Sequence, residues 1–150
     1  MTTTDVIAPT RATAGDVGLL ILRIGIGAAM LQAGLIKAFD FGTTVEFMAA
    51  GGWRMPTLAA LMVTTAETLG GVGLILGVLT PLAAFAVIAA MFDAWAVNVA
   101  AAAFWSMPFN APFLIGLGAT TVLFAGAGAY SIDARIVGRS TWSPRIAVGV

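Results

Sequence analysis

Long apolar runs broken by short polar or proline-containing segments organise this chain. The first run extends from Val17 to about Ala38, interrupted only by Arg23 and Gln32 before Lys37. It meets the roughly 20 residues that a membrane-spanning helix needs. A cleaved leader has an apolar core of only about 7–15 residues, so this longer, Arg-containing run is expected to be a retained span. Thr57 to Leu79, Leu82 to about Phe104 and Phe113 to about Ala129 form three further runs. Thr80-Pro81, then Ser106-Met107-Pro108 with Asn110-Ala111-Pro112, supply the breaks between them. Between the first two runs, Phe41, Val45 and Met48 recur at helical spacing, and Gly51-Gly52 precede Trp53. That stretch predicts a short helix lying in the membrane interface.

The expected fold is therefore all-α: an integral membrane, antiparallel four-helix bundle with a short interfacial helix between spans 1 and 2. Residues 1–15, polar and Thr-rich, read as a disordered lead-in. The transmembrane domain covers 16–133, with spans at about 17–38, 57–79, 82–104 and 113–129, and 134–150 form a tail. Trp105, Trp95 and Tyr130 stand where interfacial aromatics belong. Four spans put both termini on one side. Arg11, Arg135, Arg139 and Arg145 fall on that side against Lys37 and Arg54 on the other, so the positive-inside rule places the termini in the cytoplasm.

Composition strengthens this reading. Of 150 residues, 60% are apolar and 9% charged, and mean hydropathy is +1.02, far from the roughly 25% charged residues of soluble domains. Seven basic and seven acidic residues cancel, which removes the basic footprint that nucleic acid requires. Cys and His are both absent. Thiol chemistry, iron–sulfur clusters and ordinary haem, zinc or copper sites are thereby excluded for this chain alone, and no metal site is expected. Redox chemistry would need a bound organic molecule or partner proteins.

Against this apolar background, Arg23, Glu67 and Asp93 are conspicuous. Each costs roughly 2.5–3.5 kcal/mol at a helix centre on insertion scales, so each should face protein and find a partner. At about 1.5 Å per residue, Glu67 and Asp93 fall near the midplane and Arg23 one or two turns nearer the cytoplasm. One reading makes Glu67 and Asp93 a proton-handling or polar-headgroup site with Arg23 as counter-charge; the plainer one is a buried ion pair fixing helix register. Two carboxylates brought close would keep at least one protonated. Arg23, Gly27, Met30, Gly34 and Lys37 share one stripe of the first span, with Gln32 on the opposite side. Ala66, Gly70, Gly73 and Gly77 form a small-residue seam on the second, expected to pack inside the bundle.

Three ordered patterns carry a family resemblance. They are Arg23-x3-Gly27-x6-Gly34-x2-Lys37-x-Phe39, Glu67-x2-Gly70-Gly71-x2-Leu74-x2-Gly77-x2-Thr80, and Gly126-Ala-Gly128-Ala-Tyr130-Ser131-Ile-Asp133. In that order the chain resembles the DoxX family of small four-helix bacterial membrane proteins, over about residues 17–139. The resemblance implies a multi-pass protein of the bacterial plasma membrane within a redox or oxidative-stress complex. It also implies kinship to DoxD subunits of thiosulfate:quinone oxidoreductase and a quinone as the candidate cofactor between helices. Arg23, Lys37 and Glu67 are the polar positions it carries over. Ala33 stands where many members have His, and Pro81 where a basic residue often follows. The chain would then be an oxidoreductase subunit, with lipid bilayer and protein partners, and not a stand-alone redox enzyme. The alternatives are a non-catalytic assembly subunit and a small-solute or proton pathway past Glu67 and Asp93.

Overall fold

The computed structural model describes residues 12–101 and 110–136, with the helical backbone alone at 97–101. Among the described residues every regular element is a helix and none a strand: α1 (Ala14–Phe39), α2 (Phe41–Ala50), α3 (Pro56–Leu76), α4 (Thr80–Ala101), α5 (Ala111–Ala125) and α6 (Ile132–Ile136). Trp105, the turn at 106–108, Arg11, Arg139, Arg145 and the Asn98 side chain lie outside what is described.

Local chemistry sets the helix ends. Thr13 caps α1 in a reciprocal box: its hydroxyl oxygen accepts from the Asp16 N–H, while an Asp16 carboxylate oxygen accepts from the Thr13 N–H at 2.8 Å. Ala14 and Gly15, expected in the unstructured lead-in, are therefore helical. Asp40 ends α1 and caps α2 by accepting from the Thr43 N–H. Pro56 opens α3, where its missing N–H is harmless. Gly77 closes α3 in the left-handed conformation, φ +65° and ψ +45°. Asn110 caps α5 through the Phe113 N–H. Gly126, at φ +84°, ends α5 four residues short of the expected limit at Ala129.

The long helices meet at specific residue pairs. Along α1 and α3 the facing pairs are Gly27 with Gly71, Gly34 with Thr68 and Lys37 with Glu67. Gly73 meets Ala83, and Gly70 meets Val87, between α3 and α4. Met91 meets Gly116 between α4 and α5, and Ile26 meets Gly118 between α1 and α5. Ile26, Met30, Leu74, Ala84, Val87, Met91, Ala119 and Val122 fill the space enclosed. α2 packs on α3 and α1 through Thr44 and Met48.

The outward surface is apolar: Ile21, Leu61, Met62, Leu69, Phe85, Phe92, Leu114 and Phe124 are all exposed. Arg23 and Glu67 are instead buried. This inversion of the soluble pattern suits a hydrocarbon solvent. α1 and α3 are each long and apolar enough to cross a membrane. The 80–96 stretch of α4 and the whole of α5 are apolar and shorter.

Candidate functional site

The stripe of α1 carries its two basic residues to two separate polar stations, 14 positions and about 21 Å apart along the helix. At the first, Arg23 is fully buried. Its Nη2 donates to the Tyr130 carbonyl at 2.7 Å, and the charge of Asp133 acts on it. The guanidinium passes directly under Gly77. A Cβ at Gly77 would collide with Arg23 Nη1 and lie 2.5 Å from the Ser131 Cβ, so only glycine fits there.

The segment after α5 closes around this point. Asp133 accepts from the Leu79 and Thr80 N–H groups at 2.9 and 2.8 Å, capping the start of α4. The Asp133 N–H in turn donates to the Gly77 carbonyl at 2.9 Å. Ser131 bridges the Gly128 carbonyl and the Ala134 N–H. Asp16, already capping α1, also accepts from the Ala129 N–H at 2.8 Å. Residues 126–133 are thus a buckle fastening the ends of α1, α3 and α5 to the start of α4. Tyr130 contributes its backbone carbonyl to that buckle.

At the second station Lys37 Nζ donates to Glu67 Oε2 at 2.6 Å. The Lys37 side chain is 30% exposed and that of Glu67 only 4%, so a nearly enclosed carboxylate is reached through a partly open amine. The Thr44 hydroxyl donates toward the Lys37 and Asp40 carbonyls at the junction of α1 with α2. On α3, Thr64, Glu67 and Thr68 share a face at i, i+3 and i+4. Neither threonine hydroxyl has a hydrogen-bond partner among the described residues. The backbones approach closely here: a Cβ at Gly34 would run into the Thr68 side chain and come within 2.7 Å of the Thr68 N.

Glu67 therefore has a counter-ion other than the one expected. Arg23 is level with Gly77, where α3 ends, and Lys37 balances Glu67. Asp93 joins neither station. Ala86 stands beside Gly70, and Asp93, seven residues on, continues that α3-facing row of α4 at the level of about Val63. Its side chain is partly exposed, and no hydrogen bond or ion pair to it occurs among the described residues.

Of the expected packing glycines, Gly27 and Gly34 press on α3, and Gly70 and Gly73 on α4. Gly77 serves as a left-handed helix end and not as part of a helix seam. Gly71, placed in the family pattern but not among the packing glycines, also presses on α1, where a Cβ would lie 2.6 Å from the Leu31 N. Thr44, Thr64 and Thr68 were missed; the i, i+3, i+4 spacing around Glu67 was the available signal. Between α4 and α5 an apolar groove of about 360 Å³ is lined by Met91, Phe92, Trp95, Phe113 and Leu117. The Thr120 hydroxyl on its wall is tied to the Gly116 carbonyl. Among the described residues no cluster of His, Cys, Asp and Glu could hold a metal ion.

Comparison with known proteins identifies the family. The DoxX family model matches residues 18–100, more than half of the chain. The chain belongs to the DoxX family and is a membrane protein. No curated protein and no solved structure matches it.

Proposed function

We propose that this DoxX-family chain is the membrane subunit of a redox or oxidative-stress complex in a bacterial plasma membrane. In this reading α1, α3, α4 and α5 span the bilayer as an antiparallel bundle, α2 lies in the interface, and the termini are cytoplasmic. The observation that carries it is the Lys37–Glu67 pair. A carboxylate 4% exposed is held at 2.6 Å by an amine 30% exposed, amid helices whose outer surface is apolar. An acid and a base so placed can hold or pass a proton within the membrane. With Cys and His absent, electrons would travel on partner proteins and on an organic carrier. A quinone supplies that chemistry when bound; Lys37 would donate to a carbonyl oxygen and Glu67 would exchange the proton.

The test is purification from native membranes in mild detergent, with mass spectrometry of co-purifying proteins and extracted quinone. Reduction of a quinone analogue by the complex is measured alongside, with and without Glu67→Gln. Co-purifying redox proteins and a loss of reduction in the variant are expected. Absence of both quinone and redox partners would overturn the proposal.

A second reading, a non-catalytic assembly subunit, draws on the Arg23 buckle, whose contacts are internal to the chain. It predicts that Arg23→Ala and Glu67→Gln both lower abundance or co-purification of the complex and leave its specific activity intact.

A further inference from the structure

A threonine hydroxyl inside a helix can point to solvent or fold back onto the carbonyl four residues earlier. Thr44, Thr120 and Thr121 fold back, bonding to Asp40, Gly116 and Leu117. Thr64, Thr68 and Thr80 do not: their hydroxyls are buried without a partner among the described residues, and of the three Thr64, 8% exposed, stands a turn before Glu67. The two share a face of α3, where side chains three apart are about 5–6 Å from one another at Cβ. Glu67 bonds through Oε2 alone, leaving Oε1 as a free acceptor. The Lys37 amine has N–H groups to spare beyond the one it gives to Glu67.

These three side chains define the chemistry of what fits between them. The pair is neutral overall, so an anion meets Glu67 and a cation meets Lys37 at a disadvantage. A carbonyl oxygen, as on a quinone, accepts from Lys37 and Thr64 and leaves Glu67 Oε1 to a second group. A hydroxyl does both, accepting from Lys37 Nζ or Thr64 Oγ1 and donating to Glu67 Oε1. In a low-dielectric interior an unpaired buried hydroxyl is costly, which favours an occupant. Thr68 takes no part, because its side chain is wedged against Gly34.

We infer that Lys37, Thr64 and Glu67 form a binding site for one neutral hydroxyl group, either a water molecule or the hydroxyl head of a membrane-dissolved lipid or phenol. The inference deepens the proposed function at the same pair, but it requires no redox partner and no electron carrier. It can hold where the proposed function fails.

The test is the isosteric variant Thr64→Val in the purified full chain. Thermal unfolding is followed in mild detergent, first as isolated and then after exhaustive detergent washing to strip lipid. A filled site makes Thr64→Val lower Tm by roughly 3–6 °C. A fall in both preparations identifies water, and a fall only before washing identifies a lipid-borne hydroxyl. An unchanged or raised Tm in both overturns the inference, since removing an unpaired buried hydroxyl relieves strain. Thr120→Val, whose hydroxyl bonds only its own helix, controls for the substitution and should stay near wild type. Should Thr64→Val fail to fold, an experimental density map of the wild-type chain decides. Density within hydrogen-bonding distance of Thr64 Oγ1 and Glu67 Oε1 supports the site, and continuous protein packing there overturns it.

Discussion

Replacing Gly77 with Ala should strongly destabilise this protein. Two penalties combine. Gly77 has φ +65°, and a left-handed conformation costs an L-residue roughly 1–2 kcal/mol. The new Cβ would also collide with Arg23 Nη1 and sit 2.5 Å from the Ser131 Cβ. Arg23 is fully buried and anchored to the Tyr130 carbonyl, so it has no free direction in which to yield. Such overpacking adds about 1–3 kcal/mol, giving a sum of roughly 2–5 kcal/mol. Two other glycines separate the contributions. Gly52 has φ +78° with nothing near its virtual Cβ, so Gly52→Ala carries the conformational part alone. Gly25 is helical with open space around it, so Gly25→Ala should be neutral or stabilising by up to about 1 kcal/mol. Thermal unfolding of the four proteins in one mild detergent should rank Gly25→Ala at or above wild type, then Gly52→Ala, then Gly77→Ala. A Gly77→Ala protein no less stable than Gly52→Ala would refute the proposed crowding of Arg23. The coupling is checked by a double-mutant cycle, in which Arg23→Met should recover more than about 0.5 kcal/mol of the Gly77→Ala loss.

Three further outcomes follow from the same geometry. Gly27→Ala should lose about 1–3 kcal/mol or more, read by detergent unfolding, because its Cβ would stand 2.7 Å from the Gly71 carbonyl oxygen. Asp133→Ala removes two carboxylate-to-backbone bonds, and at about 1.5–3 kcal/mol for each charged bond the start of α4 should fray; faster amide exchange at Leu79 and Thr80 is the readout. Lys37→Met leaves a nearly buried carboxylate without its cation and should cost about 3–5 kcal/mol. The double variant Lys37→Met/Glu67→Gln should regain most of that in the same unfolding assay, and failure to regain it would count against the pair as the source.

The all-helical character and the α3-facing stripe of α1 were legible because helical periodicity places Arg23, Gly27, Met30, Gly34 and Lys37 on one side regardless of what they meet. The partners were not legible. Depth counted from each helix start assumes that neighbouring spans begin and end together, whereas α1 and α3 are offset. Arg23 is level with the end of α3 at Gly77, and α1 continues past it for more than two turns to Ala14. That shift brings Lys37, apparently a residue at the edge of its span, opposite Glu67 in the middle of α3. α1 then stops, and α2 covers the early turns of α3 with Thr44 and Met48. A register offset of this kind depends on which glycines meet across the interface. Gly71 is indistinguishable from Gly70 in sequence, although one contacts α1 and the other α4.

The same offset explains why the two stations differ in character. Lys37 forms an ion pair with Glu67, whereas Arg23 bonds a carbonyl and feels the Asp133 charge without an ion pair to it. At Arg23 the Tyr130 carbonyl, the Gly77 turn and Ser131 crowd the guanidinium, whose Nε and Nη1 are buried without a hydrogen-bond partner among the described residues. Asp133 spends both its oxygens on the α4 N–H groups. At Lys37 the end of α1 leaves the amine 30% exposed, with one carboxylate oxygen and one threonine hydroxyl uncommitted. A closed station fixes register, and an open one can exchange a ligand or a proton. Substitutions at Arg23 should therefore change how much folded protein accumulates, whereas Thr64→Val and Glu67→Gln should change what the folded protein holds.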